Sequence, residues 1–88
     1  MHSRTAVVAS KVGLHARPAA LFARAAGAAG VPVTLSVPGK DPVDARSVLA
    51  LMTLGVGHGQ QVVLAADGEH APAALDELVA MLETDLDA

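Results

Sequence analysis

The sequence has no cysteine, no tryptophan and no tyrosine, and Phe22 is its one aromatic residue. Without cysteine there can be no disulfide staple, thiolate nucleophile or zinc ribbon, and a cytoplasmic location is expected. With a single aromatic ring for bases to stack on and a formal net charge of −3, a nucleic-acid surface is not expected either. Long apolar runs are missing too. The stretch after Arg4 falls short of a secretory hydrophobic region and of the about twenty residues that cross a membrane, so neither secretion nor insertion is expected. Isoleucine is absent and about a fifth of the chain is alanine, so the core must be thin and closely packed.

What is present suffices to fold. At 52% hydrophobic and 17% charged residues, the chain has the apolar surface to offset the entropy of ordering, and its 88 residues suit one small domain over 1–88. The charges are sorted. Arg4, Lys11, Arg17, Arg24, Lys40 and Arg46 are all the lysines and arginines, and no acid precedes Asp41. A basic N-terminal half on an acidic chain reads as a dock for an acidic protein or a phosphoryl group.

Periodicity divides the chain into seven elements. Residues 4–9 read as a strand and residues 10–17 as a loop. Pro18 opens a run of alanine and leucine to Ala29 that predicts a helix, with Gly27 and Gly30 as its stop. Val31, Val33, Leu35 and Val37 alternate with Pro32, Thr34 and Ser36, the period of a half-buried strand. Turn chemistry from Pro38 to Pro42 then leads to a short return strand centred on Val43, at an edge where Pro42 is tolerated. Ser47 stands where an N-cap belongs, before a two-turn helix over 48–52 that Gly55 ends. Residues 61–65 predict a fourth strand. Ala71, Ala74, Leu75, Leu78, Val79 and Leu82 predict a last helix, with Asp76, Glu77 and Glu83 turned to solvent. The order βαββαβα implies an α+β domain of two layers, with helices on one sheet face.

One segment gathers the residues that could do chemistry. Lys11-Val12-Gly13-Leu14-His15-Ala16-Arg17-Pro18-Ala19 places a histidine and an arginine just ahead of a helix. The first-turn N–H groups of a helix lack intrahelical partners and the macrodipole is positive there, which favours an anion. Arg17 adds a guanidinium fork suited to phosphate oxygens, and Gly13 admits a backbone path closed to other residues. Imidazole, with a reference pKa of about 6.5, is uncharged and nucleophilic in a large fraction of molecules near neutrality, so His15 could accept a phosphoryl group. Taken alone, His15 could equally hydrogen-bond the loop or the helix end. Other motifs fail on context. Gly55, Gly57 and Gly59 follow a helix and enter a strand, the reverse of a dinucleotide loop, and read as a bend. His2, His58 and His70 lack the spacing of a metal site, and neither a metal nor a cofactor is expected.

Gly13-Leu14-His15-Ala16-Arg17-Pro18-Ala19 resembles the active-site segment of the HPr family, the histidine-containing phosphocarriers of the bacterial phosphoenolpyruvate-dependent sugar phosphotransferase system. The stretch from Val43 to Val56 resembles the family's second signature, and the likeness covers almost the whole chain. It implies the HPr-like open-faced β-sandwich, a four-stranded antiparallel sheet with three helices on one face, and a monomeric carrier rather than an enzyme. It implies that enzyme I phosphorylates Nδ1 of His15, which passes the group to a histidine of a sugar-specific IIA domain, while Arg17 and the backbone N–H groups of Ala16 and Arg17 hold its oxygens. Ser47 matches the serine that an HPr serine kinase modifies in some bacteria. Leu49 and Met52 match an apolar docking patch, and Arg24 and Arg46 are further docking candidates. Two rival readings stand beside this one: a nitrogen-related or regulatory paralogue, and a module that binds a phosphometabolite noncovalently.

Overall fold

The chain forms four strands, three of which alternate apolar residues and bury one face. In the computed structural model, which describes residues 1–85, they are β1 (His2–Val7), β2 (Thr34–Ser36), β3 (Val43–Asp44) and β4 (Gln61–Ala66). Three helices, α1 (Ala16–Gly27), α2 (Val48–Thr53) and α3 (Ala71–Leu82), complete the order βαββαβα. All strand pairs are antiparallel and the sheet runs β1-β4-β2-β3, with Leu64 of β4 opposite both Arg4 of β1 and Leu35 of β2. The alternation decides which side chains go inward: Ala6 and Val8, Val33, Leu35 and Val37, Val62, Leu64 and Ala66 are all buried. They join one apolar cluster with Phe22, Ala23 and Ala26 of α1, Leu51 of α2, and Leu75, Leu78 and Leu82 of α3. Most of the α1 contribution to this layer is alanine; Phe22 supplies the one ring, fully buried.

The boundaries differ from the sequence reading by two residues or more in three places, while α2 and β4 each end one residue later than read. The first strand spans His2–Val7 rather than 4–9, because its extent is set by pairing with β4 from His2↔Ala66 to Val7↔Gln61. Beyond it the Ala9 amide donates to Leu82 O at the end of α3. The second strand is confined to Thr34–Ser36, the residues that meet β4. The first helix spans Ala16–Gly27 rather than 18–29: it begins two residues before Pro18 and ends at the first of the two glycines read as its stop. A proline at the third helical position sacrifices no bond, since first-turn N–H groups have no intrahelical acceptor.

β3 is an edge strand, as Pro42 requires. β1 is the other edge, and α3 holds it through acids read from sequence only as solvent-facing. Asp76 accepts from Arg4 Nε at 3.0 Å, and Glu83 accepts the Val7 amide at 3.2 Å. The second contact satisfies a strand-edge donor that could otherwise pair with another chain.

Candidate functional site

The loop between β1 and α1 is built before it is charged. Gly13 has φ +72°, and a Cβ added there would lie 2.2 Å from Val56 O and 2.8 Å from the Gly57 Cα. Only glycine lets this loop close onto the segment that follows α2. The close approach allows the Leu14 amide to donate to Val56 O at 3.0 Å, and the Leu14 side chain is buried in the core. His15 comes next and is exposed. The chain direction therefore forces it outward: Leu14 goes in, and His15 stands on the rim.

His15 is also the N-cap residue of α1, in extended conformation, and its side chain makes no capping bond. The imidazole is left unengaged at the end of the helix where unpartnered N–H groups and the positive dipole end lie. No acid occupies the first turn of α1. Ala16, immediately after it, has φ +46°, and is the one non-glycine residue with positive φ among those described. Such a backbone costs an alanine on the order of 1–2 kcal/mol, and persists only where the surroundings impose it. The left-handed residues Gly13 and Ala16 thus bracket the histidine.

Arg17 and Arg24 are exposed on α1 and, among the described residues, neither enters an ion pair. Arg46 differs. Its Nη2 lies 2.9 Å from Asp44 Oδ2 and its Nε 3.1 Å from Asp44 Oδ1, while its backbone amide donates to the same Oδ1 at 2.9 Å. The side-chain hydrogen bonds from Arg46, followed by its backbone one, hold the Asp44 carboxyl down at about 2, below the usual 3.8, and the carboxylate in turn raises the Arg46 pKa. A docking role for Arg46 would have to compete with this pairing, which its position alone did not reveal.

The Ser47 hydroxyl accepts the Ala50 amide at 3.1 Å, the N-cap bond expected of it. On the six-residue helix that follows, Leu51 is fully buried, Met52 half-buried and Leu49 74% exposed. The helix has one inward face, so its four large apolar residues separate as a short helix demands. The bond from Leu14 to Val56, just past α2, lays the C-terminal end of this helix alongside the loop that leads to His15. His2, His58 and His70 are exposed, and no group of acids and histidines among the described residues could hold a metal. Sequence reasoning missed the His58 ring, whose Nδ1 lies 3.2 Å from Ser10 O, and the burial of Ser10; no local pattern marks a contact spanning 48 residues.

Comparison with known proteins agrees with this geometry. The family model for the PTS HPr component phosphorylation site matches residues 2–84. Phosphocarrier protein HPr of Streptomyces coelicolor is 49% identical over 75 residues, covering 85% of this chain and 81% of that protein. HPr-like protein Crh of Bacillus subtilis is 42% identical over 76 residues, covering 86% and 88%. A crystal structure of HPr from Bacillus anthracis superposes with a TM-score of 0.85 at 33% identity, covering 92% of this chain and 95% of that one. No helix among the described residues is long and apolar enough to cross a membrane. The match spans nearly all of the chain and agrees with its fold, and this protein belongs to the HPr family of phosphocarriers, which carry phosphoryl groups and are not enzymes.

Proposed function

We propose that His15 accepts a phosphoryl group from phospho-enzyme I and passes it to a histidine of an IIA domain in sugar uptake, in the cytoplasm, with residues 1–88 acting as one monomeric domain. The observation that carries this reading is the exposed, uncapped imidazole of His15 at the start of α1, beside an Arg17 that no described carboxylate neutralises. With its proton on Nε2, the neutral ring presents a lone pair at Nδ1. That lone pair attacks phosphorus in line, a P–N bond forms here as the donor's P–N bond breaks, and the donor imidazole leaves. Exchange of one such bond for another is close to balanced, so the site has only to position and screen the group. The Arg17 guanidinium and the N–H groups of Ala16 and Arg17 supply the positive field for its oxygens. Leu49 and Met52 give a partner an apolar landing beside the site, and Arg24 attracts its acids.

Incubation with phosphoenolpyruvate and enzyme I should add one phosphoryl group, labile in acid, seen by intact mass. His15→Ala should remove it. An acid-stable adduct, or equal labelling of His15→Ala, contradicts the proposal. A noncovalent phosphometabolite module would need no nucleophile, and its binding would survive His15→Gln.

The likeness to Crh favours a second reading, in which phosphorylation reports metabolic state. Ser47 would then be the target of an ATP-dependent HPr serine kinase, its ester a store of charge at a helix start and not a relay. Onward transfer from His15 to an IIA domain separates the two: the carrier reading requires it and the reporter reading does not.

A further inference from the structure

The loop that ends at His15 is gripped along its length by residues 56–60, the turn between α2 and β4. Backbone bonds do this at both ends. At one end Val8 N donates to Gln60 O at 3.0 Å and Gly59 N to Val8 O at 2.8 Å; at the other, Leu14 N donates to Val56 O. Between them lies Ser10, buried, with a hydroxyl that has no hydrogen-bond partner, so its side chain gives the loop no polar anchor. Its carbonyl does. Ser10 O accepts the Gly13 amide at 3.0 Å, closing the tight turn over 10–13, and lies 3.2 Å from Nδ1 of His58. Among the described residues, that contact is the one side-chain hydrogen bond between the gripping turn and the loop.

We propose that His58 is a positioning residue for phosphoryl acceptance at His15: it donates Nδ1–H to Ser10 O and thereby fixes the loop that presents the acceptor ring. The proposal rests on the reading of His15 as the acceptor. A carbonyl cannot donate, so the contact requires a proton on Nδ1, and the neutral ring is held in the tautomer that leaves Nε2 bare. The bond matters because it restrains the start of the turn where the backbone reverses, four residues ahead of the buried Leu14 that sets the direction of His15. In-line transfer tolerates little angular error, and misplacement of a reacting atom by about 1 Å can lower a rate by up to about a hundredfold. His58 itself is exposed, so its removal leaves the core intact.

The test has two arms. Long-range 1H–15N NMR of the imidazoles at alkaline pH should show the His58 ring protonated on Nδ1; a ring protonated on Nε2 overturns the proposal without any mutation. In the second arm, transfer from phospho-enzyme I is measured for the wild type, His58→Ala and His58→Asn, whose amide nitrogen takes the place of Nδ1. His58→Ala should lower the maximal rate about three- to tenfold with little change in KM and little change in melting temperature, and His58→Asn should restore it. Equal rates for His58→Ala and wild type, or failure of His58→Asn to rescue, overturn the role of His58 while leaving His15 as the acceptor. A wild type that takes no phosphoryl group at all overturns the His15 reading, and the positioning role with it.

Discussion

Replacing Gly13 by alanine tests whether the site depends on a close backbone approach or only on a permissive dihedral angle. Two effects add. The φ of +72° costs an alanine roughly 1 kcal/mol relative to glycine. The new Cβ would also lie 2.2 Å from Val56 O, a backbone atom with no rotamer by which to move aside. The loop must shift outward, weakening the Leu14 amide bond to Val56 O, a loss of about 1 kcal/mol, and forced displacement in a tight contact adds about 1–3 kcal/mol. Gly30→Ala is the matched control, since Gly30 has φ +82° but nothing within 4 Å of the added Cβ. It should show the dihedral cost alone. Gly13→Ala should therefore be the less stable of the two by about 2 kcal/mol or more, which for a domain of this size lowers the melting temperature by roughly a further 8–16 °C. The chain has no tryptophan or tyrosine, so far-UV circular dichroism with urea and heat is the suitable probe. Equal destabilisation of the two variants would refute the argument that the Val56 contact, and not the angle, makes glycine obligatory at position 13.

Three other outcomes are expected. Ser47→Ala, which removes the acceptor for the Ala50 amide, should cost about 1 kcal/mol in urea unfolding, and Ser47→Asp should recover most of it; a neutral Ser47→Ala would show that the cap bond contributes nothing. The Asp44 carboxyl titrates lower folded than unfolded, so the stability it adds is complete above its ordinary 3.8 and is lost as pH falls towards about 2. Arg46→Gln should move the NMR titration midpoint of Asp44 up towards 3.8; a midpoint still near 2 would deny that Arg46 is the cause. Leu49→Asp, on a side chain 74% exposed, should leave the melting temperature within a few degrees yet raise the KM for phospho-enzyme I, and an unchanged KM would remove Leu49 from the docking surface.

The parts of the molecule legible in the sequence are those fixed by neighbours along the chain. The alternation from Val31 to Val37 marked the half-buried strand, although the ladder itself is confined to Thr34–Ser36. Ser47 capped its helix as its side chain requires, because the acceptor and the Ala50 donor lie three residues apart. His15, Arg17 and Pro18 identified a helix start with an anion-favouring field, although the helix begins earlier, at Ala16. The left-handed Ala16 was not legible, since alanine has no local reason to adopt that conformation, which persists only where the surrounding structure imposes it. The pairing of Arg46 with Asp44 was missed although the two are close in sequence, because a spacing of two predicts no contact until the backbone turns between β3 and α2.

The order of local choices, then, settled which residues form strands and helices, which faces are apolar, and that a histidine stands at a helix start. Those properties follow from dihedral preference and from periods of two and about 3.6, which act over a few residues. Tertiary structure alone decided that Gly13 and Leu14 are clamped by Val56, that the Ser10 carbonyl meets His58, and that His15 faces outward from the rim. Such contacts join segments more than forty residues apart, and their geometry exists only once the sheet has brought β1 beside β4 and burial of Leu14 has fixed the direction of the chain.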